Sequence, residues 1–220
     1  MADLNLFQQF LLYFNENGGY VFTQFLRHFL ISFYGVLFAA IVGIPLGIFI
    51  SRRVKLADWV MRIANLIQTI PALAMVSILM LGLGLGVNVV IVTVFLYSLL
   101  PIVKNTYTGM RQVDAGILDV GKGMGMTPWQ RLYLVEIPLS ISVIMAGVRN
   151  ALVLAIGITA IGTFVGAGGL GDIIVRGTNA TDGAAIILAG ALPTAAMSIF
   201  TDWFLGIIER KLDPTSKKKN

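Results

Sequence analysis

Few residues in this chain of 220 are equipped to make or break bonds. It has no cysteine, which excludes a disulfide framework and a thiolate metal site. Its one histidine, His28, cannot build a metal site alone and reads as an interfacial residue beside Arg27. No paired acids, H-E-x-x-H or Ser–His arrangement sits in the apolar stretches, and G-x-x-x-x-G-K-[ST] occurs nowhere. What is left is a few polar groups inside apolar stretches and one polar interior segment. Asn65, Gln68 and Thr69 precede Pro71 inside one apolar stretch, and Arg149 and Asn150 lie inside another. Such groups avoid lipid and face either a path or a neighbouring helix. For the first set, lining a translocation path and packing between helices are equally compatible. For Arg149 a packing role is preferred. No carboxylate in the other expected spans stands out as its partner; pairing with an acid of another subunit, bonding backbone carbonyls and repelling cations near the path are the alternatives.

The most polar interior segment is residues 119–138, D-V-G-K-G-M-G-M-T-P-W-Q-R-L-Y-L-V-E-I-P. Gly121, Gly123 and Gly125 predict a turn. Thr127, Pro128 and Gln130 then read as a helix start: a cap, a first-turn proline and a capping-box partner. The spacing predicts a helix, a glycine turn and a second helix outside the bilayer, after which Pro138 begins another apolar run.

The elements that must position these residues are membrane helices. The chain is 57% hydrophobic and 12% charged, with a mean hydropathy of +0.85. Several apolar stretches approach the roughly 20 residues that cross a bilayer core, and lipid forces backbone groups to pair internally. The class is therefore an all-α, multi-pass membrane protein. About five spans are expected, near 29–50, 59–81, 87–103, 139–165 and 184–208. A sixth would require splitting the fourth run or promoting the N-terminal segment. Residues 1–28 read as a short interfacial helix ending in the turn-like Asn15-Glu16-Asn17-Gly18-Gly19, without a removable signal. Residues 166–172, rich in glycine, read as a flexible connection; they lack the strand and Lys-Ser/Thr pair of a phosphate loop. Residues 208–220 read as a basic, disordered tail.

The net charge of +5 is better explained by placement than by nucleic-acid binding, which is not expected. Of the 16 Lys and Arg residues, all but Arg27, Arg149 and Arg176 fall in the first loop, the 104–131 region or the C-terminus. The positive-inside rule puts those parts in the cytoplasm, and five spans then put the N-terminus outside.

Residues 119–138 resemble the EAA loop of ABC importer permeases, whose pattern is E-A-A, three residues, Gly, nine residues, then I-x-L-P; the resemblance implies a docking segment for an ATPase subunit. Asp119, Val120 and Gly121 stand at the first three places, Gly125 at the glycine, and Val135-Glu136-Ile137-Pro138 at the end. Asp for Glu and Val for Ala are the departures. Four further blocks resemble osmoprotectant permeases of the OpuB/OpuC type: T-I-P-A-L-A from Thr69, L-P-I-V-K-N-T-Y-T-G from Leu100, G-M-G-M-T from Gly123 and G-A-G-G-L-G-D from Gly166. The resemblance covers roughly residues 20–210 and implies the type I importer permease fold, with a permease domain over 22–207. It implies a bacterial plasma membrane and import of glycine betaine, carnitine or choline. It further implies an ATP-binding subunit dimer holding the ATP and Mg, an extracytoplasmic substrate-binding protein, and a second permease copy or a related chain. Asp119, Val120, Gly121, Gly125, Thr127, Pro128, Trp129, Arg131 and Pro138 would form the ATPase-coupling loop; no cofactor is expected in this chain. The rival readings are a permease for an amino acid such as methionine and, in another class, a secondary transporter or channel needing no ATPase.

Overall fold

The computed structural model describes residues 5–213, and all regular structure among them is helical. The long elements are α1 (Leu6–Ser51), α4 (Val87–Arg111), α7 (Ile137–Ile161) and α9 (Ala184–Leu212). The shorter ones are α2 (Val54–Thr69), α3 (Ala72–Leu83), α5 (Ala115–Gly123), α6 (Pro128–Arg131) and α8 (Leu170–Thr178). Among the described residues four helical stretches are long and apolar enough to cross a membrane, or five if the bent pair α2–α3 counts as one span.

The long helices close on one another through small residues. Gly35, Ala39, Gly43 and Gly47 recur at every fourth position of α1 and form one stripe against α4. A Cβ on Gly35 would lie 2.4 Å from Val94 Cγ1, and one on Gly47 would lie 2.6 Å from Thr106 Cβ. Between helices in lipid, such close backbone approach carries the van der Waals association that burial from water cannot supply. Gly147 plays the same part on α7, where a Cβ would lie 2.8 Å from the Pro101 carbonyl of α4. α4 is thus clasped between α1 and α7, with Ile31, Val90, Val94, Ile102, Ala151 and Ala155 in the common core. Ser32 and Thr159 share a buried hydrogen bond of 2.8 Å across α1 and α7.

Several sequence expectations need correction. The predicted N-terminal turn is absent: α1 runs unbroken for 46 residues through Asn15 to Gly19. An Asn5–Gln8 capping box starts it, and Phe10, Tyr13, Phe14 and Tyr20 pack on the cluster formed by Ile173, Ala189 and Met197. Tertiary packing overrides the turn propensity of the Asn-Gly run. At about 1.5 Å per residue, α1 is roughly twice the thickness of a bilayer core, so one end extends beyond the core or along its surface.

The second span is not one helix. α2 and α3 meet at 96° across Ile70 and Pro71. A proline disfavours helical backbone at the residue before it, and Ile70 is extended, with φ −72° and ψ 127°. α4, by contrast, continues past the expected exit at 103 to Arg111.

The helix that carries the fourth span begins earlier than expected. Pro138 does not open it but lies inside a helical stretch running from Pro128 to Val165. A π-turn over Leu132–Glu136 accommodates the ring, with the Ile137 N–H bonding the Leu132 carbonyl five residues back. The glycine-rich 166–172 segment is also more ordered than expected: after Gly166–Gly169, where three glycines have positive φ, α8 starts at Leu170. Most of the basic tail, including Lys217–Lys219, lies outside the described residues.

His28 is not interfacial but buried in the core. Its Nδ1 accepts from the Leu170 N–H at 3.2 Å, so Nε2 carries the proton and donates to the Ile156 carbonyl at 2.8 Å. Gln24 Oε1 accepts from the Gly169 N–H at 2.6 Å. Two side chains of α1 therefore cap the start of α8, satisfying donors that every helix N-terminus leaves open.

Candidate functional site

The segment between α4 and α7 has the helix–turn–helix form expected, but its turn is shorter: Gly121 and Gly123 lie within α5, and of the three glycines only Gly125 has a positive φ. Asp114 caps α5, accepting from the Ile117 N–H at 3.1 Å. α5 ends in a turn where the Met126 N–H reaches the Gly121 carbonyl at 3.0 Å. Gly125 has φ +80°, a backbone conformation that strains residues carrying a Cβ. Gly121 is buried beneath the turn, where an added Cβ would meet Met126 Sδ at 3.3 Å. Thr127 and Gln130 close a reciprocal capping box at the start of α6: the Thr127 N–H donates to Gln130 Oε1 at 2.8 Å and the Gln130 N–H to Thr127 Oγ1 at 3.3 Å. Pro128 takes the first helical position.

This framework presents an exposed apolar face. Val120, Met124, Trp129, Tyr133 and Leu134 are each more than 60% exposed. The Trp129 and Tyr133 rings stack with centroids 6.1 Å apart. Asp119 is exposed and pairs with Lys122 at 2.7 Å. That hydrogen bond to the ammonium holds its carboxyl below the usual carboxylate range.

Arg131 does not join this face. Its Nε donates to Glu136 Oε1 at 3.1 Å, and Arg52 at the end of α1 donates Nη2 to the same carboxylate at 2.9 Å. Glu136 is buried, so the docking segment is tied by charge to the end of α1. Sequence reasoning gave Glu136 no role beyond its place in the Val135–Pro138 end of the motif. Its partner Arg52 is 84 residues away in sequence, so no local spacing announces the pair.

The polar residues of the spans divide. Gln68, Arg149 and Asn150 line one open cleft of about 1090 Å³ between α2, α4, α7 and α9, whereas Asn65, Thr69 and Pro71 lie outside its wall, exposed on α2 and at the break. Gln68 also has a packing role. Pro101 has no N–H to give the Tyr97 carbonyl four residues before it, and Gln68 Nε2 donates to that carbonyl at 2.8 Å. The Tyr97 hydroxyl in turn donates to the Ile70 carbonyl at the α2–α3 break.

Arg149 has partners within this chain, contrary to the sequence expectation. Its Nε donates to Asp202 Oδ1 and its Nη2 to Asp202 Oδ2, each at 3.0 Å, and Nη1 donates to Glu209 Oε2 at 2.6 Å. The signal was in the sequence: Asp202 and Glu209 are seven residues apart, two helical turns, and so share a face of α9. Among the described residues no group of three or more His, Cys, Asp or Glu could hold a metal ion.

Comparison with known proteins places these features. The family described as "Binding-protein-dependent transport system inner membrane component" matches residues 39–214. The carnitine transport permease protein OpuCD of Listeria monocytogenes is 63% identical over 216 residues, covering 98% of this chain and 97% of that protein. The glycine betaine/carnitine/choline transport system permease protein OpuCD of Bacillus subtilis is also 63% identical over 216 residues, covering 98% and 94%. In fold, the chain is similar to an inward-facing structure of the MetNI methionine ABC transporter, with a TM-score of 0.77 at 20% identity over 87% of this chain and 95% of that one.

Proposed function

The chain belongs to the binding-protein-dependent transport system inner membrane component family, and on that premise we propose that its cargo is a quaternary ammonium osmoprotectant: glycine betaine, carnitine or choline. It is a membrane permease subunit of an ABC importer, not an enzyme, with the helical fold of type I importer permeases. The observation that carries the cargo reading is the 63% identity, over nearly the whole of both chains, to permeases named for those solutes. The likeness to the methionine transporter concerns the fold alone and brings no cargo with it.

In this reading the 119–138 segment couples the permease to an ATP-binding subunit dimer, which holds the ATP and Mg. The exposed face of Val120, Met124, Trp129 and Tyr133 supports that role, because a cytoplasmic apolar patch of this kind calls for a protein partner. Asp119, Gly121, Gly125, Thr127, Pro128 and Pro138 shape the segment, and Arg131 anchors it through Glu136. A second permease copy or a related chain completes the pathway, and an extracytoplasmic binding protein delivers the cargo. ATP binding closes the ATPase dimer, the docking helices follow, and the path opens outward; hydrolysis returns it inward.

The test is uptake of labelled glycine betaine, carnitine and choline after an osmotic upshift, in cells with and without this chain and with other permeases deleted. Loss of one or more of these uptakes with methionine uptake intact is expected; unchanged uptake of all three would defeat the cargo reading. For the coupling role, Gly125→Asp should insert normally but lower transport-linked ATP hydrolysis. A variant that inserts and transports at the full rate would refute it.

A further inference from the structure

The cleft between α2, α4, α7 and α9 carries both signs of charge. In the cluster of Arg149, Asp202 and Glu209, two carboxylates share one guanidinium, and Arg210 lines the same cleft. The Asp202 side chain is 46% exposed, and its neighbour Trp203 is 56% exposed. Trp203 is the aromatic residue of the cleft wall, and Lys104 lines the same cleft from α4.

We propose that Asp202 and Trp203 form an ammonium-accepting station in this cleft and Lys104 a carboxylate-accepting one, so that the cleft is this chain's half of the cargo passage. The proposal rests on the cargo reading above. A quaternary ammonium has no N–H to donate, so hydrogen bonding cannot hold it. An indole face and a nearby carboxylate can, through the ring quadrupole and Coulomb attraction. Arg149 does not compete for the anionic end of the cargo, because three of its N–H groups are already committed to Asp202 and Glu209. The second carboxylate has a distinct part. When Asp202 turns toward a passing cation, Glu209 keeps Arg149 neutralised; Arg210, which also lines the cleft, holds its Nε on the Gly206 carbonyl at 3.2 Å. A carboxylate already shared with a guanidinium holds a cation only weakly, which suits a station the cargo must leave.

The station makes different demands of different cargoes. Choline carries only the ammonium, whereas glycine betaine and carnitine also carry a carboxylate that Lys104 can receive. Uptake would be measured in cells and in vesicles holding the permease with its ATPase and binding protein, normalised to the amount of inserted chain. Asp202→Asn is expected to lower choline uptake about tenfold and glycine betaine uptake by clearly less. Trp203→Leu is expected to lower both about tenfold, with Trp203→Phe restoring most of the loss. The choline-to-betaine ratio is the deciding readout, since a purely structural defect lowers both alike. Equal loss of the two cargoes in Asp202→Asn would overturn the proposal, as would Trp203→Leu transporting within twofold of the parent. If Asp202→Asn fails to insert, the Trp203 pair decides, because it leaves the ion pair intact. A parent chain that transports none of the three solutes would remove the cargo reading itself, and the station with it.

Discussion

Replacing Glu136 by glutamine asks whether the docking segment is held in place by charge. The Glu136 side chain is 7% exposed and receives Arg131 at 3.1 Å and Arg52 at 2.9 Å. A hydrogen bond to a charged group contributes about 1.5–3 kcal/mol. The Arg131 contact belongs in that range, since the Arg131 side chain is only 14% exposed. The Arg52 side chain is 44% exposed, and solvent screening brings its contact toward the 0–1 kcal/mol of surface pairs, an order-of-magnitude figure of about half a kcal/mol. Glutamine keeps the volume and one acceptor oxygen but loses the charge, so the net cost of Glu136→Gln is about 2 kcal/mol. If that energy presets the segment, affinity for the ATP-binding subunit falls by up to about 30-fold. The assay is titration of the ATPase onto the permease in nanodiscs, read beside thermal unfolding of the permease alone. Both should shift, and adding Arg52→Ala to Glu136→Gln should cost little more, because the two act as one unit. Unchanged ATPase affinity together with an unchanged unfolding temperature would refute the reasoning.

Other consequences can be checked on the same material. Gln68→Leu strips the Tyr97 carbonyl of its donor and should destabilise the permease by about 1–3 kcal/mol in denaturant unfolding; an unchanged midpoint would show that water or another group replaces it. Gly35→Val should force α1 off α4 at a cost of about 1–3 kcal/mol, while Gly18→Ala, with open space around it, should be neutral or stabilising by about 1 kcal/mol in the same melting series. Asp119 titrates below its ordinary value of 3.8 because Lys122 bonds it, so its contribution is present above that value and fades as pH falls through the lowered one. The unfolding temperature of the parent should therefore exceed that of Asp119→Asn slightly at pH 7, the pair being exposed, and the two should converge in acid. A difference that widens in acid would contradict that sign.

What could be read from the sequence was whatever repeats locally or spans a fixed spacing. The apolar runs gave the membrane class, and Thr127, Pro128 and Gln130 gave the start of α6 because a capping box is written within four residues. Pro71 was visible as a local disturbance, but the 96° angle depends on how α2 and α3 pack, which no single residue states. Pro138 misled in the opposite sense: a proline usually ends a helix, and the π-turn that absorbs it has no spacing signature. The Asn15–Gly19 stretch reads as a turn by propensity, yet the aromatic residues around it find partners on α8 and α9. His28 and Gln24 were illegible as caps because the helix they cap begins more than 140 residues later. Arg149 is a different case: Asp202 stood in a helix already expected, but Glu209 lay just past its expected end at 208 and shares the face because α9 continues to Leu212.

The unbroken run from Pro128 to Val165 has a mechanical consequence. No loop separates the docking helix from the span that follows, so a displacement at Trp129 is passed to a stiff rod rather than absorbed by slack. The rod lies close against α4 at Gly147, where an added Cβ would stand 2.8 Å from the Pro101 carbonyl. Gly147 lies about 28 Å from Pro128 and about 21 Å from Ile161 along the helix, which makes it a fulcrum near the middle. A lever so mounted swings its two ends in opposite directions. Paired spin labels near Trp129 and near Ile161, each measured against α4, would then report displacements of opposite sign and comparable size through the ATP cycle, with the π-turn the one place where the rod could flex instead.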